Sequence, residues 1–199
     1  MKSARAELAD RGRFFVALDL DERARSALGE WREGIVSNLS GIRPVAEDGL
    51  HVTLCFLGTC AVAEVDAIAA ACAIEAGAPV CGLRLGGGMW LPRRRPRVLA
   101  VAVEEDDGAL ARVQSALAQA LRDGGWYRPD TRPYLAHVTV ARVAKDQRLR
   151  RGPLPPPPCV ALAEATTLTL YRSHLSSRGS RYEAVRVIPI PRRASRRSD

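Results

Sequence analysis

The sequence predicts a fold that mixes helices with strands and repeats one unit of strand, helix, loop and strand. Two observations support this prediction. The tetrads that begin at His51 and His137 share the pattern His-Val-Thr-aliphatic, although the chain has only three histidines in 199 residues. Each tetrad also follows a strand-like stretch, an amphipathic helix and a loop containing Arg-Pro. The same features recurring in the same order indicate an internal duplication.

The first half of the chain supplies the first copy of this unit. Residues 14–18 form an apolar run typical of a strand, and Asp21 is suited to cap the helix that follows. Apolar residues at spacings of three and four predict that helix over 22–39. Residues 43–49 are predicted to be a loop that leads into the strand beginning at His51.

A second helix and a glycine-containing strand region come next. An alanine-rich stretch predicts a helix over about 61–76, and strand-like residues 81–85 and 89–91 flank the run Gly86-Gly87-Gly88. This run is not a phosphate-binding P-loop, since no Gly-Lys-Ser/Thr follows it and no helix opens there. We interpret it as a bulge or turn, and the basic segment 92–97 as a solvated loop.

The second copy of the unit begins at Val98. Residues 98–103 predict a strand, and Asp107 is suited to cap a helix that stops at Gly124. A loop with two Arg-Pro pairs then leads into His137. The apolar face of the helix is formed by Leu110, Val113, Leu117 and Leu121.

The remaining chain is less symmetric. Residues 153–158 are rich in proline and predict a stiff extended connector. Residues 166–171 and 182–190 predict two strands of a hairpin. The third histidine, His174, lacks a neighbouring threonine motif, and we expect it to be structural or solvent-exposed.

Composition limits the class of protein. The chain is 47% hydrophobic and 26% charged with a formal net charge of +8, which favours an anionic partner such as nucleic acid. Residues 192–199 are more typical of a solubilising tail than of an RNA-binding arm. Five cysteines without a C-x-x-C pair, the absence of a signal-like start and short apolar runs predict a cytoplasmic protein that does not enter a membrane.

Each tetrad offers an imidazole beside a hydroxyl. Side chains alternate along a strand, so His51 shares a face with Thr53, and His137 shares a face with Thr139. Two imidazoles at one centre can act as general base and general acid. Together with hydroxyls that hold negative charge, they suit in-line displacement at phosphorus. We therefore expect the tetrads to form one site that acts on a cyclic phosphodiester.

The paired tetrads resemble the two-histidine (2H) phosphoesterase superfamily. Within it the chain is most similar to the bacterial and archaeal RNA 2',3'-cyclic phosphodiesterases, formerly called 2'-5' RNA ligases. A single His-x-Thr motif would be weak, but two with these flanking residues are specific. The similar stretches are the opening strand 14–20, the first motif 50–58, the restarting strand 96–99, the second motif 137–142 and the late strand 170–173.

The resemblance implies an α+β fold with two duplicated lobes related by a pseudo-twofold axis. Two antiparallel sheets would flank a central cleft, with helices outside. We expect one domain over 13–191 made of two intertwined lobes, with flexible ends at 1–12 and 192–199. The implied reaction opens the 2',3'-cyclic phosphate of RNA ends or nucleosides to a 2'-phosphate, without a metal ion or cofactor, in a monomer with no obligate protein partner.

The resemblance also assigns roles to residues. It implies His51 and His137 as the acid and base, and we expect His51 to be the acid. Thr53 and Thr139 would bind the phosphate. A family arginine near the substrate corresponds to Arg142.

Two of the implied substrate-binding residues conflict with strict strand alternation. Alternation puts Arg142 on the face opposite His137, so either the strand bulges or twists there, or Arg142 is a surface charge. A family aromatic that lines the nucleoside pocket corresponds to Phe56, which alternation groups with Val52 and Leu54. Core packing is therefore the alternative role for Phe56.

Other functions fit parts of the pattern. Ligation, the reverse reaction with a 5'-hydroxyl end, needs the same residues. A non-catalytic nucleotide- or RNA-binding module would be expected to lose one motif histidine, and both are present. Packing alone explains single histidines but not a repeated His/Thr pair. A dinuclear metal hydrolase is disfavoured because no carboxylate-rich ligand set accompanies the histidines.

Overall fold

The computed structural model describes residues 10–75, 80–144, 147, 152–176 and 179–190. Within them the chain forms eight strands and three α-helices, with short 3-10 helices at Glu47–Gly49 and Val62–Glu64. The helices are α1 (Glu22–Val36), α2 (Val65–Glu75) and α3 (Ala109–Asp123). The strands are β1 (Arg11–Asp19), β2 (Ile42–Pro44), β3 (His51–Ala61), β4 (Leu83–Leu91), β5 (Val98–Glu105), β6 (His137–Val143), β7 (Thr167–Ser176) and β8 (Gly179–Pro189).

All eight strands belong to one antiparallel sheet. Their order is β4-β5-β6-β3-β1-β7-β8, with β2 paired to β6. The α+β class is confirmed, but the expectation of two separate sheets is wrong. The two halves are joined because β3 pairs with β6, in register at Val52 and Val138.

The helices cover one face of the sheet and bury its apolar side chains. Leu28, Leu110 and Leu117 from the helices are fully buried in the same core as the strand residues. The Gln114 side-chain amide of α3 donates a hydrogen bond to the Leu54 carbonyl of β3 over 3.3 Å. This contact fixes α3 against the strand that begins with the first tetrad.

The triple glycine forms a bulge, as predicted. The register of β4 against β5 shifts between Leu85 and Gly88. A Cβ on Gly88 would lie 2.9 Å from the Trp31 ring, so glycine allows α1 to approach β4 closely. The Trp31 indole N–H donates to the Pro155 carbonyl over 3.3 Å, which attaches the proline-rich connector to the same helix.

The α1 cap is the predicted Asp21, whereas the N-cap of α3 is Gly108 and the predicted Asp107 lies one residue before it. Asp21 accepts a hydrogen bond from the Ala24 N–H over 2.8 Å, and α1 ends at Val36, before the predicted end at 39. The Asp107 carboxylate accepts from the Ala109 N–H over 3.0 Å. Glu105, at the end of β5, accepts from two further N–H groups of α3 at 2.6 and 3.1 Å, a cap that sequence analysis missed.

Several expectations are corrected at the edges of elements. The predicted loop at 43–49 begins with the short strand β2. β1 already begins at Arg11, before the expected domain start at 13, so the predicted flexible segment 1–12 is too long. The rest of that segment up to residue 9, and the predicted tail 192–199, lie outside the described residues. His174 lies within β7 and contacts the Glu183 carboxylate at 2.7 Å. In the described part of the chain, no helix is long and apolar enough to cross a membrane.

Candidate active site

The two tetrads meet at the centre of the sheet, where β3 and β6 pair through Val52 and Val138. Both valines are fully buried, and the histidine and threonine that flank each of them are half-buried. The imidazoles and hydroxyls therefore lie on the face away from the helices. Antiparallel pairing sets each histidine across from the threonine of the other tetrad, His51 across from Thr139 and His137 across from Thr53.

Both histidines are oriented by a backbone carbonyl two residues upstream. The Nδ1 atom of His137 lies 2.8 Å from the Leu135 carbonyl oxygen. A carbonyl only accepts, so Nδ1 carries the hydrogen and Nε2 is left for a substrate. The His51 ring makes the corresponding hydrogen bond to the backbone of Gly49.

Three aromatic rings surround the His51 imidazole. The Phe15 ring of β1 stacks on it with a centroid distance of 4.8 Å, and the Tyr171 ring of β7 lies parallel at 5.8 Å. Tyr182 of β8 meets the imidazole edge-on at 5.2 Å. These rings displace water from one side of the imidazole while the opposite side faces the second tetrad.

Burial sets the proton affinity of His51. Removal from water lowers its pKa from the usual 6.5 to about 4, since the charged imidazolium is disfavoured there. The Gly49 carbonyl and the Asp19 carboxylate act in the opposite direction, while Arg142 and His137 lower the pKa further. In the free protein at neutral pH, His51 is therefore the neutral imidazole.

Asp19 is a site residue that sequence analysis missed. It ends β1 directly across from His51 in the sheet register. Its two carboxylate oxygens accept hydrogen bonds from the Thr169 hydroxyl at 2.5 Å and the Tyr171 hydroxyl at 2.6 Å. A carboxylate that directly follows the apolar run 14–18 was the available signal.

A β-bulge in β3 brings Phe56 to the site. The register of β3 against β1 skips Leu54, and Leu54 and Cys55 are both buried. Because a bulge resets the alternation of side chains, Phe56 returns to the face of His51. Its side chain is 47% exposed, and the Arg13 guanidinium lies 5.2 Å from its ring centroid. The alternative that grouped Phe56 with the core is therefore wrong.

The second tetrad contains the same bulge. The register of β6 against β5 skips Val140, and Val140 and Ala141 are both buried. Arg142 therefore shares the face of His137, so the expected bulge is present, while a substrate-binding role for Arg142 stays a prediction. The Arg142 guanidinium donates to the Tyr182 hydroxyl over 3.2 Å.

A hydrogen bond holds the loop before β6 against β3. The Tyr134 hydroxyl donates to the Thr53 carbonyl over 3.1 Å. Leu135, whose carbonyl orients His137, is the next residue, so this contact joins the first tetrad to the support of the second histidine. Tyr134 was also missed by sequence analysis, which had no signal for a hydrogen bond between distant segments.

The described residues contain no group of three or more His, Cys, Asp or Glu side chains arranged to hold a metal ion. The five cysteines are free thiols. Cys55, Cys60 and Cys72 are buried, whereas Cys81 and Cys159 are exposed. Burial raises the pKa of the Cys55 and Cys72 thiols to about 12, so these thiols stay protonated.

Comparisons with known proteins identify relatives of this chain. The model of the 2'-5' RNA ligase superfamily matches residues 20–171. A protein of Escherichia coli (strain K12) named RNA 2',3'-cyclic phosphodiesterase is 32% identical over 172 residues, which is 85% of this chain and 92% of that protein. A protein of the same name from Archaeoglobus fulgidus is 29% identical over 133 residues, 67% of this chain and 73% of its own length.

Solved structures are also similar. The crystal structure of E. coli LigT in apo form has a TM-score of 0.72 and 25% identity, and the similarity covers 91% of this chain and 98% of that one. The matching family model spans most of the chain, including both tetrads. The chain therefore belongs to the 2'-5' RNA ligase superfamily, the two-histidine phosphoesterases that its sequence resembles.

Proposed function

We propose that this chain is an enzyme that hydrolyses the 2',3'-cyclic phosphodiester of RNA ends and nucleosides to a 2'-phosphomonoester, without a metal ion or cofactor. The main support is the pairing of β3 with β6, which sets two imidazoles and two threonine hydroxyls on one open face. Family membership and the activity named for the E. coli relative also support it.

The proposed reaction is an in-line attack of water on phosphorus. One histidine takes a proton from the water as its oxygen bonds to phosphorus, and the other protonates the 3' oxygen as its bond to phosphorus breaks. The 2' oxygen keeps the phosphate. Thr53 and Thr139 donate their hydroxyls to the non-bridging oxygens, Arg142 adds positive charge at the edge of the site, and Phe56 offers a ring on which the base can stack.

We assign His137 as the base and His51 as the acid. The hydrogen bond from His137 Nδ1 to Leu135 is compatible with the first role, because it leaves the Nε2 lone pair free to accept a proton, but His51 makes the corresponding bond to Gly49, so this contact does not distinguish the two histidines. The lowered pKa of His51 opposes the second role in the free protein. A phosphate charge about 4 Å away contributes about 4 kcal/mol at an effective dielectric of 20, or roughly three pKa units. Bound substrate therefore restores the proton that the acid needs.

We further propose that the two halves of the sheet are a duplicated, pseudo-twofold pair within one domain that begins with β1 at Arg11, with the substrate cleft between them. Three equivalences support this. Both tetrads bulge at their fourth residue, both histidines bond to a carbonyl two residues upstream, and Phe56 and Arg142 occupy the same position relative to their histidines.

The function is tested with adenosine 2',3'-cyclic phosphate in the presence of a chelator. We expect turnover to a 2'-phosphate, identified by chromatography or phosphorus NMR. His51→Ala and His137→Ala should each lower kcat by about 100- to 10,000-fold while the fold, checked by circular dichroism, is retained. Near-wild-type turnover in either folded variant, or a 3'-phosphate product, contradicts the proposal.

The division of labour is tested with a better leaving group. In adenosine 2'-(para-nitrophenyl phosphate) the departing phenolate needs no proton, so the acid becomes dispensable while the base does not. We expect His51→Ala to recover most activity on this ester relative to the cyclic phosphate, and His137→Ala to remain impaired on both. The reverse pattern would exchange the two roles.

A further inference from the structure

A cavity of about 770 Å³ adjoins the histidine pair. It lies between β2 with its following loop, the end of β6 and the β7–β8 hairpin. Three of its lining residues already belong to the surroundings of His51: Gly49 is its backbone partner, Tyr182 packs on its ring and Arg142 lowers its pKa. The cavity is thus a lateral extension of the site, although neither motif histidine lines it.

Two arginines of this cavity face each other across a strand pair. Arg43 of β2 is in register with Arg142 of β6. Side chains of such partners point to the same face, with Cβ atoms about 4.5–5.5 Å apart, and like charges in this position are destabilising. Both residues line the cavity. Two guanidinium groups on one face of the strand pair, both lining the cavity, can bind a single anion between them.

The charge of the other lining residues agrees with an anionic occupant. Among the described lining residues, Arg181 adds a third basic residue, and Asp48 is the only acidic one. Guanidinium groups bind phosphate oxygens through paired N–H donors, and two of them converging on one phosphate give a strong, oriented contact.

We propose that Arg43 and Arg142 together bind the phosphate on the 5' oxygen of the nucleotide whose 2',3'-cyclic phosphate lies at the histidines. This inference rests on the proposed function. Along an RNA chain, the phosphate nearest to a terminal cyclic phosphate is the one on the 5' oxygen of the same ribose. The cavity therefore takes the internucleotide phosphate of an RNA end, and a nucleoside 2',3'-cyclic phosphate leaves it empty.

The test compares three substrates that differ in this phosphate. They are adenosine 2',3'-cyclic phosphate, its 5'-phosphorylated form and the dinucleotide ApA with a 2',3'-cyclic end. A charged hydrogen bond of the usual strength predicts that both phosphorylated substrates exceed the nucleoside by about tenfold or more in kcat/KM. Equal gains for the two show that the phosphate itself is bound, whether as a monoester or a diester.

Variants identify the residue responsible. Arg43→Gln should reduce the preference for a 5' phosphate to near unity, and Arg43→Lys, which keeps the charge but loses the paired donors, should give an intermediate value. Arg122→Gln is the matched control, since Arg122 is exposed on α3 on the helical side of the sheet. This control should keep the wild-type preference.

The outcomes separate this inference from the proposed function. Absence of turnover on all three substrates by the wild-type protein contradicts the proposed function. Turnover with equal kcat/KM on all three, or a preference that persists in folded Arg43→Gln, overturns the phosphate site while leaving the function intact. A gain for ApA alone also overturns it, because the cavity would then recognise the second nucleoside.

Discussion

The aromatic surroundings of His51 lead to a prediction about its pKa. Burial is the largest cause of the lowering from 6.5 to about 4. Phe15 is itself buried in the sheet, whereas Tyr182 is half-buried and covers the imidazole edge from the side of the cavity. The substitution Tyr182→Ala should therefore admit water to the imidazole without opening the core.

The expected magnitude follows from the size of the lowering. A change of about 2.5 pKa units corresponds to roughly 3.4 kcal/mol of lost stabilisation of the imidazolium. Removing one of three rings should recover about a third to a half of it, which raises the pKa of His51 by about one unit. The remaining charges act as before: Asp19 raises the pKa, while Arg142 and His137 lower it.

The assay is an NMR titration of the histidine rings. The chain has only three histidines, so the His51 signal can be assigned with His137→Gln and His174→Gln variants. Wild-type protein should give a His51 pKa near 4, and Tyr182→Ala one near 5. Tyr182→Phe is the control, because it keeps the ring and removes only the hydroxyl that accepts from Arg142.

Three results would refute this reasoning. A wild-type His51 pKa near 6.5 would show that the rings do not exclude water. Equal pKa values in the wild type and Tyr182→Ala would show that burial by this ring is not the cause. If the pKa of His51 shifts as much in Tyr182→Phe as in Tyr182→Ala, the hydrogen bond between Tyr182 and Arg142, and not the ring, is the cause of the lowered pKa.

Three further predictions concern stability and catalysis. The folded pKa of His51 lies below its unfolded value of 6.5, so the free energy of unfolding should fall as the pH falls from 6.5 to 4. Between pH 7 and pH 5 we expect a loss of about 2 kcal/mol, measured by urea denaturation. The loss should be smaller in His51→Asn. Phe56→Ala should raise KM for adenosine 2',3'-cyclic phosphate about tenfold through lost stacking, whereas Phe56→Tyr should not, and an unchanged KM in the alanine variant contradicts a stacking role. Tyr134→Phe should lower kcat about fivefold with little change in KM, since it removes one hydrogen bond that supports the loop before His137, and a kcat equal to wild type contradicts that role.

Local patterns were sufficient to predict most elements. Apolar spacing and the Asp21 cap located α1, since both signals lie within the helix and its first turn. The strand β2 was missed because its three residues contain an Arg-Pro pair and form a strand only by pairing with β6. The Glu105 cap was missed for a related reason: the carboxylate reaches the helix only after the chain turns at Gly108, whose φ is 71°.

The site residues that belong to the repeated motif were predictable from the sequence. Those whose position depends on the register between paired strands were not. His51 and His137 were identified from two repeated tetrads. The face of the sheet on which Phe56 and Arg142 lie was not predictable, because the position of a bulge depends on the partner strand. In the sequence a bulge is visible only as two consecutive apolar residues. Tyr182 comes from a strand distant along the chain, and no local pattern connects it with His51.

The shared bulge has a consequence for regiochemistry under the proposed function. A cyclic phosphate joins two neighbouring oxygens of one ribose, and a site with two equivalent halves would accept it in either of two orientations. The two halves differ in the side chain that follows the bulge on the histidine face. This side chain is the ring of Phe56 in one half and the guanidinium of Arg142 in the other. A base favours the ring and a phosphate favours the cation, so this difference between the halves orients the ribose and selects which of its two oxygens departs.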